Sequence, residues 1–391
     1  MKKVIIEKAQ RLYQLPPDIF SFVHAGKKPP LIRKSELLDL GSFHWPVEYD
    51  DDDARRDVPL AVAGKGKIEN LKEELAGWFL NYHGAKLNGS KEIFIGGSIS
   101  DLIFQLALAF IDNGDIAFVP DVGVPLYRRA VAACSGEPIS YAVVQKNEWL
   151  PDFKRVNSRL GRVARLLFVN SPHNPTGAEL GEKAFEELLW LSGRENIIVV
   201  NDAAYQSISG RKLTSLVAIT GGRKIGVEVC SFAYLFGLPP IPFGFVVGNR
   251  EVISGLDQAS RLVRQHIPQF YVDWAIAAIR QFPGENLKKA RKLIQQSSTA
   301  VNPLLDALSL ERVGFDAVPF VWARIERRSH AATVAGALYR RGRILTVPGH
   351  VFGDNGEGYL RLSLTAPPEM YRKACERAKK RLRLVKGASL E

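Results

Sequence analysis

Val169-Asn170-Ser171-Pro172-His173-Asn174-Pro175-Thr176-Gly177 closes the apolar run Ala164-Arg165-Leu166-Leu167-Phe168-Val169 with a polar turn punctuated by two prolines and a glycine. The apolar run reads as a strand, and the residues that follow cannot continue it. An Asn-Pro-Thr-Gly turn is common, so its surroundings decide the fold. Outward from it, from about residue 90 to 250, short apolar runs alternate with amphipathic stretches. Glu92 to Gly97 reads as a strand ending in glycines, followed by a helix that Ser98 or Ser100 caps. Asp115 to Pro120 (strand), Pro125 to Cys134 (helix) and Pro138 to Val144 (strand) come next. Beyond the turn lie Lys183 to Leu191 (helix), Asn196 to Asn201, Ile225 to Ser231 and Phe243 to Val247 (strands). Strands that are apolar throughout and separated by helices predict a mostly parallel sheet covered on both faces. Such sheets bind ligands beyond the carboxyl ends of their strands.

From about residue 285 the pattern changes to Lys/Arg-rich helices with strands near Ala317–Arg324 and Tyr359–Leu364. This predicts a smaller α/β domain, completed by the N-terminal segment. The expected division is 1–45 (N-terminal segment on the small domain), 46–285 (large domain) and 286–391 (small domain). A chain of 391 residues, 46% hydrophobic and 24% charged, is ordinary for a soluble globular protein. Its net charge of +12 comes from 53 Lys and Arg against 41 Asp and Glu. The basic residues are dispersed except where Arg372, Lys373, Arg377, Lys379, Lys380, Arg381 and Arg383 crowd one stretch. That stretch reads as the solvated face of a terminal helix. No zinc-finger or RNA-binding signature accompanies it, so a nucleic-acid partner is not expected. Cys134, Cys230 and Cys375 are odd in number and far apart, which argues against a disulfide framework. No apolar run approaches a membrane span, and the first residues lack a signal-peptide core, so a cytoplasmic location is expected.

The strand ends carry the chemistry. Asp202 follows Gly177 by 25 residues and ends the next strand, with Tyr205 three residues on. Cys230-Ser231-Phe232-Ala233-Tyr234 ends another, and Gly244-Phe245-Val246-Val247-Gly248-Asn249 follows. In order, spacing and placement these segments resemble the class I/II aminotransferases of fold type I, especially the branch with the aspartate and LL-diaminopimelate aminotransferases. The resemblance covers most of the chain. Gly96-Gly97-Ser98 matches the family's phosphate loop, and the stretch from Asn113-Gly114-Asp115 to Tyr127 matches its next strand and helix. Leu150-Pro151-Asp152-Phe153 and Gly358-Tyr359-Leu360-Arg361-Leu362-Ser363 match later segments.

The resemblance implies a large domain with a seven-stranded sheet, a homodimer, and pyridoxal phosphate (PLP) joined to a lysine amine that also moves protons. It places Asp202 at the pyridine nitrogen, Asn174 and Tyr205 at the ring hydroxyl, Ser98 and Ile99 at the phosphate, and Arg361 at the substrate α-carboxylate. The lysine position holds Tyr234 and the serine before it is Ala233. Pro242 stands where a phosphate-binding arginine belongs, and Val124 where a stacking tyrosine belongs. No lysine lies between Ser231 and Asn249, so a slip of register does not recover one.

A phenol forms no imine and, with a reference pKa of about 10, is a poor base at neutral pH. Pro239, Pro240 and Pro242 stiffen the loop after Tyr234 and remove amide donors. The expectation is an aminotransferase homologue that does not perform standard transamination, with Tyr234 in the catalytic position. It would hold PLP or pyridoxamine phosphate (PMP) weakly and non-covalently, and take an amino acid or keto acid at Arg361. Two alternatives stand beside it: an enzyme of altered type using PLP or PMP non-covalently, and a non-catalytic binding or scaffold protein. Bland readings also stand. Asp202 can satisfy backbone groups at a strand end, Asn174 can serve the turn, Tyr205 and Tyr234 can be packed tyrosines with satisfied hydroxyls, and Arg361 can be a structural ion-pair partner. His173, alone in the turn, reads as structural.

Overall fold

The computed structural model describes residues 33–45, 61–156, 158–238, 241–263, 266–325 and 329–381, with Ala9, Leu12, Leu15 and Ile19 singly. Pro239, Pro240 and Arg383 lie outside the described residues, as does most of the 1–45 segment. The strands are β1 Leu38–Asp39, β2 Ile93–Gly96, β3 Ile116–Pro120, β4 Glu137–Tyr141, β5 Ala164–Asn170, β6 Ile198–Asp202, β7 Gly226–Ser231 and β8 Gly244–Gly248. β9 Leu310–Arg312, β10 Phe320–Ile325, β11 Ile344–Leu345, β12 Val347–Pro348 and β13 Tyr359–Ser363 complete the set.

Seven strands form the large sheet in the order β2-β8-β7-β6-β5-β3-β4. The pairs among β4, β3, β5, β6 and β7 are parallel, and β8 runs antiparallel to both its neighbours. The fold is therefore α/β, with the mostly parallel sheet that the apolar runs predict. β2, β3, β7 and β8 are buried at every position, as a sheet covered on both faces requires. β4, at the edge, is the exception: Glu137 and Ser140 are exposed and Pro138 sits where a missing N–H costs no ladder bond.

The helices that matter for the site are α1 Lys65–His83, α2 Ile99–Phe110, α3 Leu126–Ala133, α4 Glu182–Glu195, α5 Phe232–Phe236 and α6 Pro368–Arg381. Ser98, not Ser100, caps α2: its side chain accepts from the Asp101 N–H, and the Asp101 carboxylate accepts from the Ser98 N–H. Several boundaries differ from the sequence reading. β4 stops at Tyr141, and a 3₁₀ turn at Gln145–Asn147 follows in place of strand to Val144. α4 runs on to Glu195, where Asn196 in the left-handed region (φ 56°) ends it. α5 is one turn long because Gly237 (φ 77°) turns the chain against Leu287, where a Cβ would meet the Leu287 amide nitrogen at 2.8 Å.

A four-stranded antiparallel sheet, β12-β13-β10-β9, lies in the C-terminal part. β1 pairs in parallel with β11, Leu38 opposite Ile344. Leu38, Leu40 and Trp45 share one hydrophobic cluster with Leu287, Leu304, Leu360, Leu362 and Tyr371. The 33–45 segment thus packs on the C-terminal residues and brings its loop to the carboxyl end of the large sheet. α6 buries Tyr371, Ala374, Cys375 and Ala378 and turns Arg372, Lys373, Lys379, Lys380 and Arg381 outward. Among the described residues, no helix is long and apolar enough to cross a membrane.

Candidate functional site

The carboxyl ends of β5, β6 and β7 place Asn170, Asp202 and Ser231 side by side, and the turn after β5 adds Asn174. Asp202 is 5% exposed. One carboxylate oxygen accepts the Tyr127 hydroxyl at 2.7 Å, and the other accepts the Ala204 N–H at 3.1 Å. Burial pushes its pKa up to about 6, against the opposing pull of those two donors. Asn170 fixes the neighbourhood: its amide donates to the Asp202 carbonyl at 2.7 Å, and its side-chain oxygen accepts the Asn174 N–H at 2.7 Å.

From Asn174 the polar chain continues to Arg361 on β13. The Asn174 amide donates to the Tyr205 hydroxyl at 3.4 Å, and its oxygen accepts Arg361 Nη1 at 3.2 Å. Arg361 Nη2 donates to the Gly41 carbonyl at 2.9 Å. The guanidinium is 3% exposed, 4.2 Å from the Phe320 ring centroid and 5.1 Å from that of Phe352. Its Nε is buried with no hydrogen-bond partner among the described residues. Burial lowers its pKa to about 10, and the nearby Asp39 carboxylate offsets this only in part. It is therefore a cation at neutral pH whose hydrogen-bond acceptors, among the described residues, are both uncharged. The ion-pair reading of Arg361 finds no carboxylate contact among those residues.

Tyr234, on α5, stacks between two rings: Tyr205 at 5.7 Å and 13°, and Trp45 at 5.8 Å and 23°. Phe43 meets it edge-on at 4.8 Å. Burial, with the nearby charge of Asp202, pushes the phenol up to about 12, so it stays protonated at neutral pH. Tyr205 and Tyr234 are thus packed rings, as the bland reading held. The Tyr234 hydroxyl, however, makes no hydrogen bond among the described residues, whereas that of Tyr205 accepts from Asn174.

Ser98, Ile99, Ser100, Ser231, Ala233, Tyr234, Ile241, Pro242 and Phe243 line a cavity of about 270 Å³ at the head of α2. No lysine or arginine is among them. Val124 packs on the cluster of Phe94, Leu102 and Tyr127. His173 is buried beside the Thr176 hydroxyl (2.8 Å), and burial lowers its pKa to about 4, so it is a neutral structural ring. Sequence reasoning missed Tyr127, Asn170, Gly41, Phe43, Trp45, Phe320 and Phe352. Only Tyr127 carried a signal, a tyrosine just after the β3 strand end whose hydroxyl needs a partner once its ring is buried.

A mostly parallel α/β sheet with an Asn-Pro-Thr-Gly turn, an aspartate ending the adjacent strand and an arginine on the C-terminal sheet defines the PLP-dependent fold-type-I class. The aminotransferase class I and II family model matches residues 53–377, and the chain belongs to that family. It is similar to the LL-diaminopimelate aminotransferase of Halothermothrix orenii, 29% identical over 387 residues, covering 96% of this chain and 98% of the relative. The enzyme of the same name from Aquifex aeolicus is 26% identical over 391 residues, covering 96% and 99%. Among solved structures, substrate-bound BacF from Bacillus subtilis superposes with a TM-score of 0.85 at 21% identity, covering 96% of this chain and 98% of that one. A single mutant of Thermus thermophilus aspartate aminotransferase gives 0.83 at 22%, covering 96% and 100%. The structural likenesses speak for the fold.

Proposed function

We propose that this member of the family binds an amino acid or keto acid by its carboxylate at Arg361 and does not carry out standard transamination. The single observation behind the first half is the Arg361 guanidinium, buried, charged and facing only uncharged acceptors. A buried charge costs several kcal/mol unless something opposes it, and a bidentate carboxylate is the partner its geometry suits. Support for the second half is chemical. Tyr234 offers no amine, and its ring is held by Trp45 and Tyr205. The cavity beside it offers a phosphate no cation. Asp202 already accepts from Tyr127. The residues present do not fit a covalently held PLP.

A second reading, an enzyme of altered type holding PLP or PMP non-covalently, draws on Asp202, Asn174 and Tyr205 standing together and on the two relatives above being named as aminotransferases. A non-catalytic scaffold is the third. We further propose the domain division 1–45, 46–285 and 286–391, a homodimer, and a cytoplasmic location. Titration calorimetry of the full chain with amino acids and keto acids, LL-diaminopimelate among them, tests the binding claim. Saturable binding that is lost in Arg361→Met supports it, and binding untouched by that change refutes it.

A further inference from the structure

We infer that the loop Gly41–Trp45 is a built-in plug: the Gly41 carbonyl holds the carboxylate edge of Arg361 in the unliganded chain, and a ligand enters only after the loop swings out. The inference rests on the carboxylate reading for the identity of the ligand and adds how access to that site is controlled.

A guanidinium offers a carboxylate two parallel N–H donors along one edge. On Arg361, Nη1 is taken by Asn174 at 3.2 Å and Nη2 by the Gly41 carbonyl at 2.9 Å, while Nε is buried with no partner among the described residues. The Nε–Nη2 edge is therefore half filled, by one carbonyl oxygen where a carboxylate brings two. The same loop starts from Asp39, whose negative charge raises the pKa of Arg361 against the effect of burial. Shut, the loop supplies one neutral acceptor and part of a negative field, which is a weaker version of what a bound carboxylate supplies. Trp45 Nε1, on the same loop, is a second buried donor with no partner among the described residues. Buried donors are normally paired, so the shut loop is a compromise that a better acceptor displaces.

Arg361 is 3% exposed, so part of its surroundings must move before any ligand reaches it. Three of its four neighbours are held fast. Phe320 lies in β10, which has strands on both sides. Phe352 is 1% exposed and packs edge-on against Trp322 at 5.7 Å. The Asn174 N–H is fixed by Asn170 at 2.7 Å. The loop is the fourth neighbour and the least tethered. Leu40 is still stitched to the small domain, its N–H donating to the Leu345 carbonyl at 3.0 Å and its carbonyl accepting the Ser363 N–H at 2.7 Å. Beyond it, the Gly41 and Ser42 N–H groups turn back to Asp39 Oδ1 at 3.0 and 2.8 Å. Among the described residues, the loop backbone then reaches the rest of the protein only through the Gly41 carbonyl and the His44 N–H, which donates to the Thr365 hydroxyl at 3.1 Å. Phe43 and Trp45 rest on the Tyr234 ring, and His44 faces solvent. The hinge thus falls after Leu40, and the loop opens toward water.

Phenylglyoxal, which modifies accessible guanidinium groups, reports opening without any ligand. The full chain is treated in native buffer, modification of Arg361 is followed by peptide mass spectrometry, and global unfolding is measured alongside in urea. Arg361 is expected to react faster than the chain unfolds. Asp39→Ala, which removes the acceptor of the Gly41 and Ser42 N–H groups, is expected to speed the reaction about tenfold or more without a matching rise in global unfolding. Phe43→Ala, which loosens the loop from Tyr234, is expected to speed it as well, so the test survives if one variant fails to fold. Modification of Arg361 no faster than global unfolding, in wild type and variants alike, overturns the inference. LL-diaminopimelate added as a protecting ligand reads the carboxylate claim separately: opening without protection supports the plug while counting against that claim.

Discussion

Replacing Arg361 by methionine separates a ligand-binding cation from a structural one. If Arg361 were a structural ion-pair partner, its removal would strand a buried charge and cost about 3–5 kcal/mol. The observed surroundings predict otherwise. The pKa is lowered from 12.5 to about 10, so burial disfavours the charged form by about 3 kcal/mol in the unliganded chain. Against this stand the hydrogen bonds to Asn174 and Gly41, at about 1.5–3 kcal/mol each for a charged donor, whose acceptors lose a partner. Methionine keeps apolar contact with Phe320 and Phe352. The terms oppose one another, and the net change in stability is expected to stay within about 2 kcal/mol. Binding of a carboxylate ligand, by contrast, loses two charge-assisted bonds, about 3–6 kcal/mol or a hundredfold and more. Urea unfolding and calorimetry on the same preparations read both quantities. A loss of 3 kcal/mol or more in stability, with unchanged ligand binding, refutes the reasoning and returns Arg361 to a structural role.

Three other outcomes follow from the same geometry. Asp202 has a folded pKa of about 6 against an unfolded 3.8, so the folded chain holds this proton more tightly. Its contribution to stability is full below 3.8 and is lost as pH rises through 6, about 3 kcal/mol in all. Asp202→Asn should therefore flatten the dependence of Tm on pH between these values, and an unaltered curve counts against the assignment. Tyr234→Lys restores an amine but removes a ring stacked on Trp45 and Tyr205; it should lower stability by about 1–3 kcal/mol and yield no active transaminase, which a denaturation curve and a turnover assay check. Glu228, fully buried, accepts from Asn201 (2.9 Å), Gln206 (3.3 Å), Ser215 (2.7 Å) and the Leu216 N–H (2.8 Å), so Glu228→Ala should cost about 2–4 kcal/mol by leaving those donors unpaired, while Arg361-dependent binding persists.

The large sheet was legible because its signals are local. Each apolar run is bounded by its own Gly, Pro or Asn, and Ser98 with Asp101 writes the start of α2 within four residues. The strand ends located Asp202, Asn174 and Tyr205 for the same reason. Strand limits were less readable: an apolar run such as Ala142-Val143-Val144 is compatible with strand, and only the turn at Gln145–Asn147 takes it out of the sheet. The partners of the site residues were not legible, since they are set by tertiary packing. Tyr127 lies 75 positions from Asp202, and Gly41 lies 320 from Arg361. The aromatic stack depends on Phe43 and Trp45 arriving from a loop held by the pairing of β1 with β11. Tyr234 at the position the resemblance gives to a lysine was readable, whereas Tyr234 as the middle ring of a stack was not.

The most direct measurement is chromatographic. The full chain is incubated with PLP and an amino acid that binds in an Arg361-dependent manner, and the keto acid formed is quantified against free PLP alone. The predicted result is no keto acid above that background. Formation that saturates with amino acid and disappears in Asp202→Ala would contradict the account, because it would show that this cleft transaminates without the lysine.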